Sequence, residues 1–373
     1  MPRTVFRLLV LALSSAATLA AVELGLRARG PAPAFRVWTP GLEAELEPSP
    51  EILSGVEGLA RFRISALGFR ADERPPDVEL SILALGGSAT ECLYLDQEEA
   101  WPALLQVELA TRLGRRVWVA NAGKSGRTTR DHALQLQRLL AQEPRFERVL
   151  LLTGVNDLCA WLAAGTGPVP PADLARAFDV VPRDLAPGPL WRRTALFELV
   201  RGLRGRWLDA PLTQDAAGEI YATWRGHRSR ARAWLEELPD ADVALAGYRA
   251  ALSDLRASCA RHGTALVLVT QPALWSPELA GELEELLWMG GVGEYQRDER
   301  CAYYTAAALA RGLLLFNAEM EAFARAHRLP LLDLARPLSA DPRYFYDDVH
   351  FNEEGARAVA SFLAGALAAL EAR

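Results

Sequence analysis

The chain has 373 residues, with 41 Lys and Arg against 47 Asp and Glu, a formal net charge of −6 and a pI near 5.6. That balance supplies no broad basic surface and excludes nucleic acid as a partner for the chain as a whole. Half of the residues are hydrophobic and 24% are charged, so the chain is globular rather than disordered, with length for one large α/β domain with insertions or for two ordinary domains.

Residues 1–27 carry Arg3 and Arg7, then an uncharged apolar run from Leu8 to Val22, then Glu23. With Glu23 at the interface the stretch extends to Leu26, enough for a span of about 20 residues. The segment is an uncleaved transmembrane anchor or a signal peptide cut after a small residue such as Ala20, and the anchor is the favoured reading. Either places the remainder outside the cytoplasm: anchored at the inner membrane and facing the periplasm, or secreted. Residues 28–78 are rich in Pro and Glu without sustained periodicity and read as a linker and irregular arm. Within them RFRISALGFRADE has partial alternation and a turn at Leu67-Gly68, which suits an added strand or a cover for a sheet edge.

From residue 79 to 373 strands alternate with helices. Apolar runs near 80–87, 116–123, 148–154, 264–272 and 329–334 read as strands buried on both faces. Amphipathic stretches around 99–113, 129–142, 244–262, 302–327 and 353–370 read as helices. Strand, helix, strand in repetition gives right-handed crossovers and a doubly wound parallel sheet. Functional residues of such sheets collect at the carboxyl ends of the strands.

Four motifs lie at those ends. GGSATE puts Ser88 on the turn opening a helix, where it is an N-cap or an exposed nucleophile. NAGKSG supplies glycines that leave backbone amides uncovered. GVND offers the Asn156 amide, and YFYDDVHFNEEG puts Asp347 three residues before His350. The other histidines, His132, His227, His262 and His327, sit in arginine-rich or helical contexts that look solvated. Cys92, Cys159, Cys259 and Cys301 lack C-x-x-C spacing, so a zinc site has little support; they form up to two disulfides, Cys92 with Cys159 among the pairings, or stay small buried thiols.

Taken together, GGSAT, NAGKSG, GVND and DDVH resemble the four sequence blocks of the SGNH (GDSL-type) hydrolase superfamily, and the GGS form with ISALGFR, EEAWPALLQ and VTQPALW resembles its exported, membrane-anchored bacterial branch. Gly87 stands where the GDSL form has aspartate. The resemblance implies a flavodoxin-like three-layer α/β/α fold on a central five-stranded parallel sheet. It also implies ester hydrolysis with Ser88 as nucleophile, His350 as base and Asp347 orienting it, without cofactor or metal. The oxyanion hole would be the N–H groups of Ser88 and Gly126 and the Asn156 amide. On this alignment Asp348 reads as solvated and Asp157 as a structural turn carboxylate.

Residues from about 160 to 243 form a helical insertion between the third and fourth strands, with Trp161, Trp191, Trp207, Trp224 and Trp234. It suits a lid over the strand ends, its tryptophans packing the insertion or lining a substrate wall. Lys124, the chain's one lysine, lies two residues before Gly126 and points into solvent or meets an anionic substrate; Trp275 is a second candidate contact. The expected substrate is a carboxylic ester of an acylated envelope glycan or a lipid. O-acyl transfer at the same site and a non-catalytic glycan-binding role are the alternatives.

Overall fold

The structure, a computed structural model, describes residues 3–29, 34–142, 145–165, 171–182, 185, 191, 194–197, 199–200, 215–279 and 281–372. The apolar N-terminal run forms one helix, α1 (Arg3–Arg29), long and apolar enough to cross a membrane and unburied along its apolar window. Such a helix is compatible with a signal peptide or a membrane anchor.

The segment after it is more regular than its Pro- and Glu-rich composition suggests. β1 (Glu43–Leu46) and β2 (Ala60–Arg63) pair antiparallel, and two-residue alternation turns Ala44, Leu46, Ala60 and Phe62 inward. Further on, the Arg70 N–H donates to Asn121 O at 3.0 Å and covers an outer sheet edge.

The continuous apolar runs become the central sheet. β3 (Leu80–Gly86) is buried at every position, followed by β4 (Val117–Asn121) and β5 (Arg148–Leu152). Ile82, Leu83 and Leu85 are fully buried, each worth about 1.5–3 kcal/mol relative to exposure. The one-turn helix α2 (Ser88–Glu91) follows β3. α3 (Trp101–Leu113) starts with Pro102 and stops at Gly114 in a left-handed conformation, and α4 (Thr129–Leu139) starts from a capping box of Thr128 and Asp131. α5 (Val155–Ala164) opens the insertion, which contributes α6 (Glu219–Ser229) and β6 (Trp234–Leu235). Then come α7 (Asp242–His262), β7 (Ala265–Val269), β8 (Tyr303–Tyr304), α8 (Ala306–His327), β9 (Leu331–Leu332) and α9 (Glu353–Glu371).

The five-stranded sheet is parallel throughout, in the order β4-β3-β5-β7-β9. α3 packs with α9 in one helical layer, and α4, α7, α8 and α5 pack together in another. This is the flavodoxin-like three-layer arrangement. Its topological switch lies between β4 and β5 around β3, so a crevice opens at the carboxyl end of β3. β6 pairs with β8 and stitches the insertion to the segment following β7.

All four thiols are unpaired, so the disulfide alternative is set aside. Burial pushes Cys92 up to about 11 and Cys159 and Cys259 up to about 12, which makes them inert packing groups. Trp161 packs on Phe316 and Trp224 on Trp288, whereas Trp191 and Trp234 are largely exposed. Trp207 lies outside the described residues.

Candidate active site

Ser88 is the first residue of α2; the cap position belongs to Gly87, and no side chain caps this helix. Its hydroxyl is therefore not spent on a backbone amide, and Oγ lies 2.7 Å from His350 Nε2. α2 ends after one turn because Cys92 takes φ 54° and ψ 45°, the left-handed region that L-residues seldom enter. Arg70 holds that turn from below. Its buried guanidinium donates to the carbonyls of Glu91 and Cys92 at 2.5 Å and of Leu95 at 2.7 Å, and to Gln97 Oε1 at 3.2 Å.

The histidine comes from a closed loop. Phe345 and Phe351 form an antiparallel bridge, and Tyr346 N–H donates to His350 O at 3.1 Å. Asn352 caps α9 immediately afterwards. Inside the loop Asp347 Oδ1 accepts from the amides of Val349 and His350 at 3.0 and 2.8 Å, while Oδ2 accepts from His350 Nδ1 at 2.6 Å. Burial alone would raise Asp347, yet the charge and hydrogen bond of His350, with the two amides, hold it below the ordinary carboxylate value. Burial alone would lower His350, yet Asp347, with Asp348 and Glu91 farther off, holds it above its ordinary value.

Asp348 corrects the expectation of a solvated carboxylate. It is fully buried and accepts from Trp275 Nε1 and Trp288 N at 2.7 Å and from Met289 N at 3.2 Å. Burial, with the adjacent Asp347 charge, pushes it up to about 6. Trp275, expected at the substrate, is thereby turned away to anchor this carboxylate.

The candidate oxyanion groups meet around Gly87. An added Cβ at Gly87 would lie 2.4 Å from Asn156 Nδ2, so the amide sits directly against the nucleophile turn. Asn156 Nδ2 also donates to Arg127 O at 2.9 Å, next to Gly126. Gly126 has φ +69° and open space beside it. Glycine is needed there for the positive φ rather than to avoid a protein neighbour. Glu91 ties this loop to α2: buried, it accepts from Ser125 N and Ser125 Oγ, both at 2.5 Å. Asp157, as expected, is structural, accepting from Thr129 N at 3.0 Å and Thr129 Oγ1 at 2.8 Å.

Lys124 departs from both of its expected roles. It is buried, donating to Asp179 Oδ1 at 2.5 Å and to Val37 O at 3.0 Å, with its ammonium 4.2 Å from the centre of the Trp38 ring. It joins the glycine-rich loop to the N-terminal arm instead of facing the crevice. His132 is likewise fully buried, and burial lowers it to about 4, so it packs as a neutral ring.

Around His350 stands an aromatic wall built by the insertion, the segment after β7 and the loop of His350 itself. Tyr346 stacks on it with centroids 5.5 Å apart, Tyr221 of α6 meets it edge-on at 5.7 Å, and Trp288 lies parallel at 6.5 Å. Arg225 fixes α6 there by donating to the carbonyls of Ile52, Tyr346 and Leu286. Glu91 closes GGSATE and Arg70 ends GFR, but nothing in the sequence marks the role of either, and Trp288, Tyr221 and Arg225 lie outside the four motifs.

A model described as the GDSL-like lipase/acylhydrolase family matches residues 84–358. No curated protein matches the chain. Among solved structures, an acetylxylan esterase from Geobacillus stearothermophilus shares 14% identity, with 78% of this chain and 94% of that one covered and a TM-score of 0.41. The lipase/acylhydrolase from Enterococcus faecalis shares 14%, with 78% and 96% covered and a TM-score of 0.39. A carbohydrate acetylesterase family member from Sinorhizobium meliloti shares 14%, with 77% and 97% covered and a TM-score of 0.41.

Proposed function

This chain belongs to the GDSL-like lipase/acylhydrolase family and is an ester-hydrolysing enzyme; from that premise we propose that Ser88, His350 and Asp347 perform the hydrolysis. The observation that carries this reading is the unbroken line from Ser88 Oγ through both nitrogens of His350 to Asp347 Oδ2, with steps of 2.7 and 2.6 Å. An ionised Asp347 only accepts, so Nδ1 bears the imidazole proton and Nε2 is left as the acceptor for the serine hydroxyl.

Ser88 Oγ attacks the ester carbonyl as His350 Nε2 takes its proton. Charge developing on the carbonyl oxygen is met by the N–H groups of Ser88 and Gly126 and by Asn156 Nδ2, dipoles fixed before the reaction by α2, Glu91 and the positive φ of Gly126. His350 then protonates the leaving alcohol. Water, deprotonated by the same nitrogen, releases the acid from Ser88. The imidazolium formed in each half-reaction is stabilised by Asp347.

The acyl group is short. The gap beside Ser88 and His350, between Ala89, Cys92, Tyr94, Leu95, Tyr346 and Phe351, is too narrow for a water-sized sphere and leaves no room for a long acyl chain. Tyr94 closes it by donating to Asp215 at 3.0 Å. With α1 holding the enzyme at a membrane, an acetylated envelope glycan fits this site better than a long-chain lipid. The test compares p-nitrophenyl acetate with p-nitrophenyl octanoate. We expect kcat/KM to fall about tenfold or more for the longer ester, and Ser88→Ala to lose about 10⁴-fold or more on both. Equal rates on the two esters reject the short-acyl reading, and turnover retained by Ser88→Ala rejects the nucleophile.

A further inference from the structure

Trp288 touches both carboxylates of the Asp347–Asp348 pair. Its backbone N–H donates to Asp348 Oδ2 at 2.7 Å, and its indole Nε1–H donates to Asp347 Oδ2 at 2.9 Å. The second acceptor is the same oxygen that receives His350 Nδ1–H at 2.6 Å. With the amides of Val349 and His350 on Oδ1, Asp347 accepts two hydrogen bonds on each oxygen. The indole is held for this by its contact with Trp224 of α6, ring centroids 4.4 Å apart, and is only 5% exposed. Phe or Leu at position 288 would fill the wall as an apolar group; only Trp also supplies a donor there.

We propose that Trp288 is a positioning residue for the Ser88–His350–Asp347 relay: its indole N–H keeps Asp347 Oδ2 in line with His350 Nδ1 and limits how basic the imidazole becomes. The inference rests on the relay proposed above. A hydrogen bond donated to a carboxylate withdraws part of its negative charge, so the neighbouring imidazolium is stabilised less than by a bare carboxylate. Without the indole donor Asp347 gains freedom to rotate and His350 holds its proton more tightly. Trp288 belongs to the segment after β7 and leans on α6, so the insertion and this segment together set the geometry of the relay.

The other charged and titratable groups around the imidazole stay in place when the indole is changed. Asp348 and Glu91 face it as acids, Arg228 offsets Asp348, and Tyr221, Tyr346 and Tyr94 are held neutral with their hydroxyls pushed up chiefly by burial. A change in the pH profile after altering only the indole N–H therefore reports on that one bond.

The experiment uses the detergent-solubilised full chain and p-nitrophenyl acetate, comparing wild type, Trp288→Phe, Trp224→Phe and Ser88→Ala. A fifth protein carries 3-benzothienylalanine at 288, which keeps the shape of indole and replaces the N–H by sulfur. For Trp288→Phe and the benzothienyl protein we expect kcat to fall about 10- to 100-fold with KM unchanged, and the acid limb of kcat/KM to move to higher pH. Trp224→Phe should move that limb in the same direction and by less, because it loosens the support of the indole and leaves the donor itself in place. If the benzothienyl protein keeps the wild-type kcat and acid limb, Trp288 is only a wall and the inference is overturned; its near-native shape makes that result readable even where Trp288→Phe misfolds. If Ser88→Ala is fully active, the relay itself is wrong and the inference falls with it; loss of activity in Ser88→Ala with an unmoved benzothienyl profile overturns Trp288 alone.

Discussion

Lys124 and Asp179 form a contact of 2.5 Å between a nearly buried ammonium and a carboxylate that is 31% exposed. Its loss removes one donor from Asp179, which still accepts from Thr39 N–H, and one from the Val37 carbonyl, which still accepts from Asp179 N–H, so Lys124→Met should destabilise the fold by about 0.5–1.5 kcal/mol. The check is a denaturant titration beside kcat/KM for one neutral and one anionic ester. Both esters should change by the same factor, whereas selective loss of the anionic one would return Lys124 to the substrate. Asn156→Ala should lower kcat by about 10²–10³-fold with little change in KM, since its amide is needed where charge develops. The pH dependence follows from His350. As a base it must be neutral, and its proton is held above the ordinary value of 6.5. Activity is therefore full at higher pH and lost as pH falls through the raised value, so the acid limb of kcat/KM should lie above pH 6.5.

Two elements place Ser88, β3 with its turn α2 and the arm that braces that turn. β3 and α2 are legible because a continuous apolar run stops at Gly-Gly-Ser, and the observed strand begins and ends within a residue or so of the expected 80–87. The support under α2 is not legible, because Arg70 sits in a segment whose apolar residues are spaced among Pro and Glu, and its acceptors are backbone carbonyls that any residue could supply. Arg70→Lys tests that support. A point ammonium cannot reproduce a fork reaching the carbonyls of Glu91, Cys92 and Leu95. Stability should fall by about 1–3 kcal/mol for the first orphaned carbonyl, and kcat should fall with it; a thermal unfolding curve and kcat matching wild type would show that α2 needs no such brace. Asp347 and Asp348 teach the same lesson. In DDVH the two are chemically identical, and only the segment carrying Trp275, Trp288 and Met289 decides that one faces His350 and the other is locked away. Lys124 was misleading for a related reason: a lysine among glycines suggests solvent until Val37 and Trp38 of the arm are laid over it.

At the scale of the whole molecule the chain is a flavodoxin-like five-stranded sheet with three additions that converge around His350: the arm through Ile52, the insertion through Tyr221 and Arg225, and the segment after β7 through Trp288. The sheet order was readable because alternation and right-handed crossovers leave few topologies, and the insertion was expected over the strand ends; the individual contacts were not readable, because they join residues from 59 to 173 positions apart. α1 meets the insertion where Glu23 accepts from the amides of Ala195 and Leu196 at 2.9 and 3.0 Å, and its apolar window is unburied. Deleting residues 1–29 should release the enzyme from membranes in a flotation assay and leave kcat/KM for a soluble ester unchanged, and a truncated protein that still floats would remove α1 as the anchor. The central claim is that Ser88 is the nucleophile of this ester hydrolase. Its most direct test is peptide mapping after reaction with a fluorophosphonate: one phosphonyl group per chain on the peptide containing Ser88, with none on Ser88→Ala, is the expected result, and a label on any other serine would contradict it.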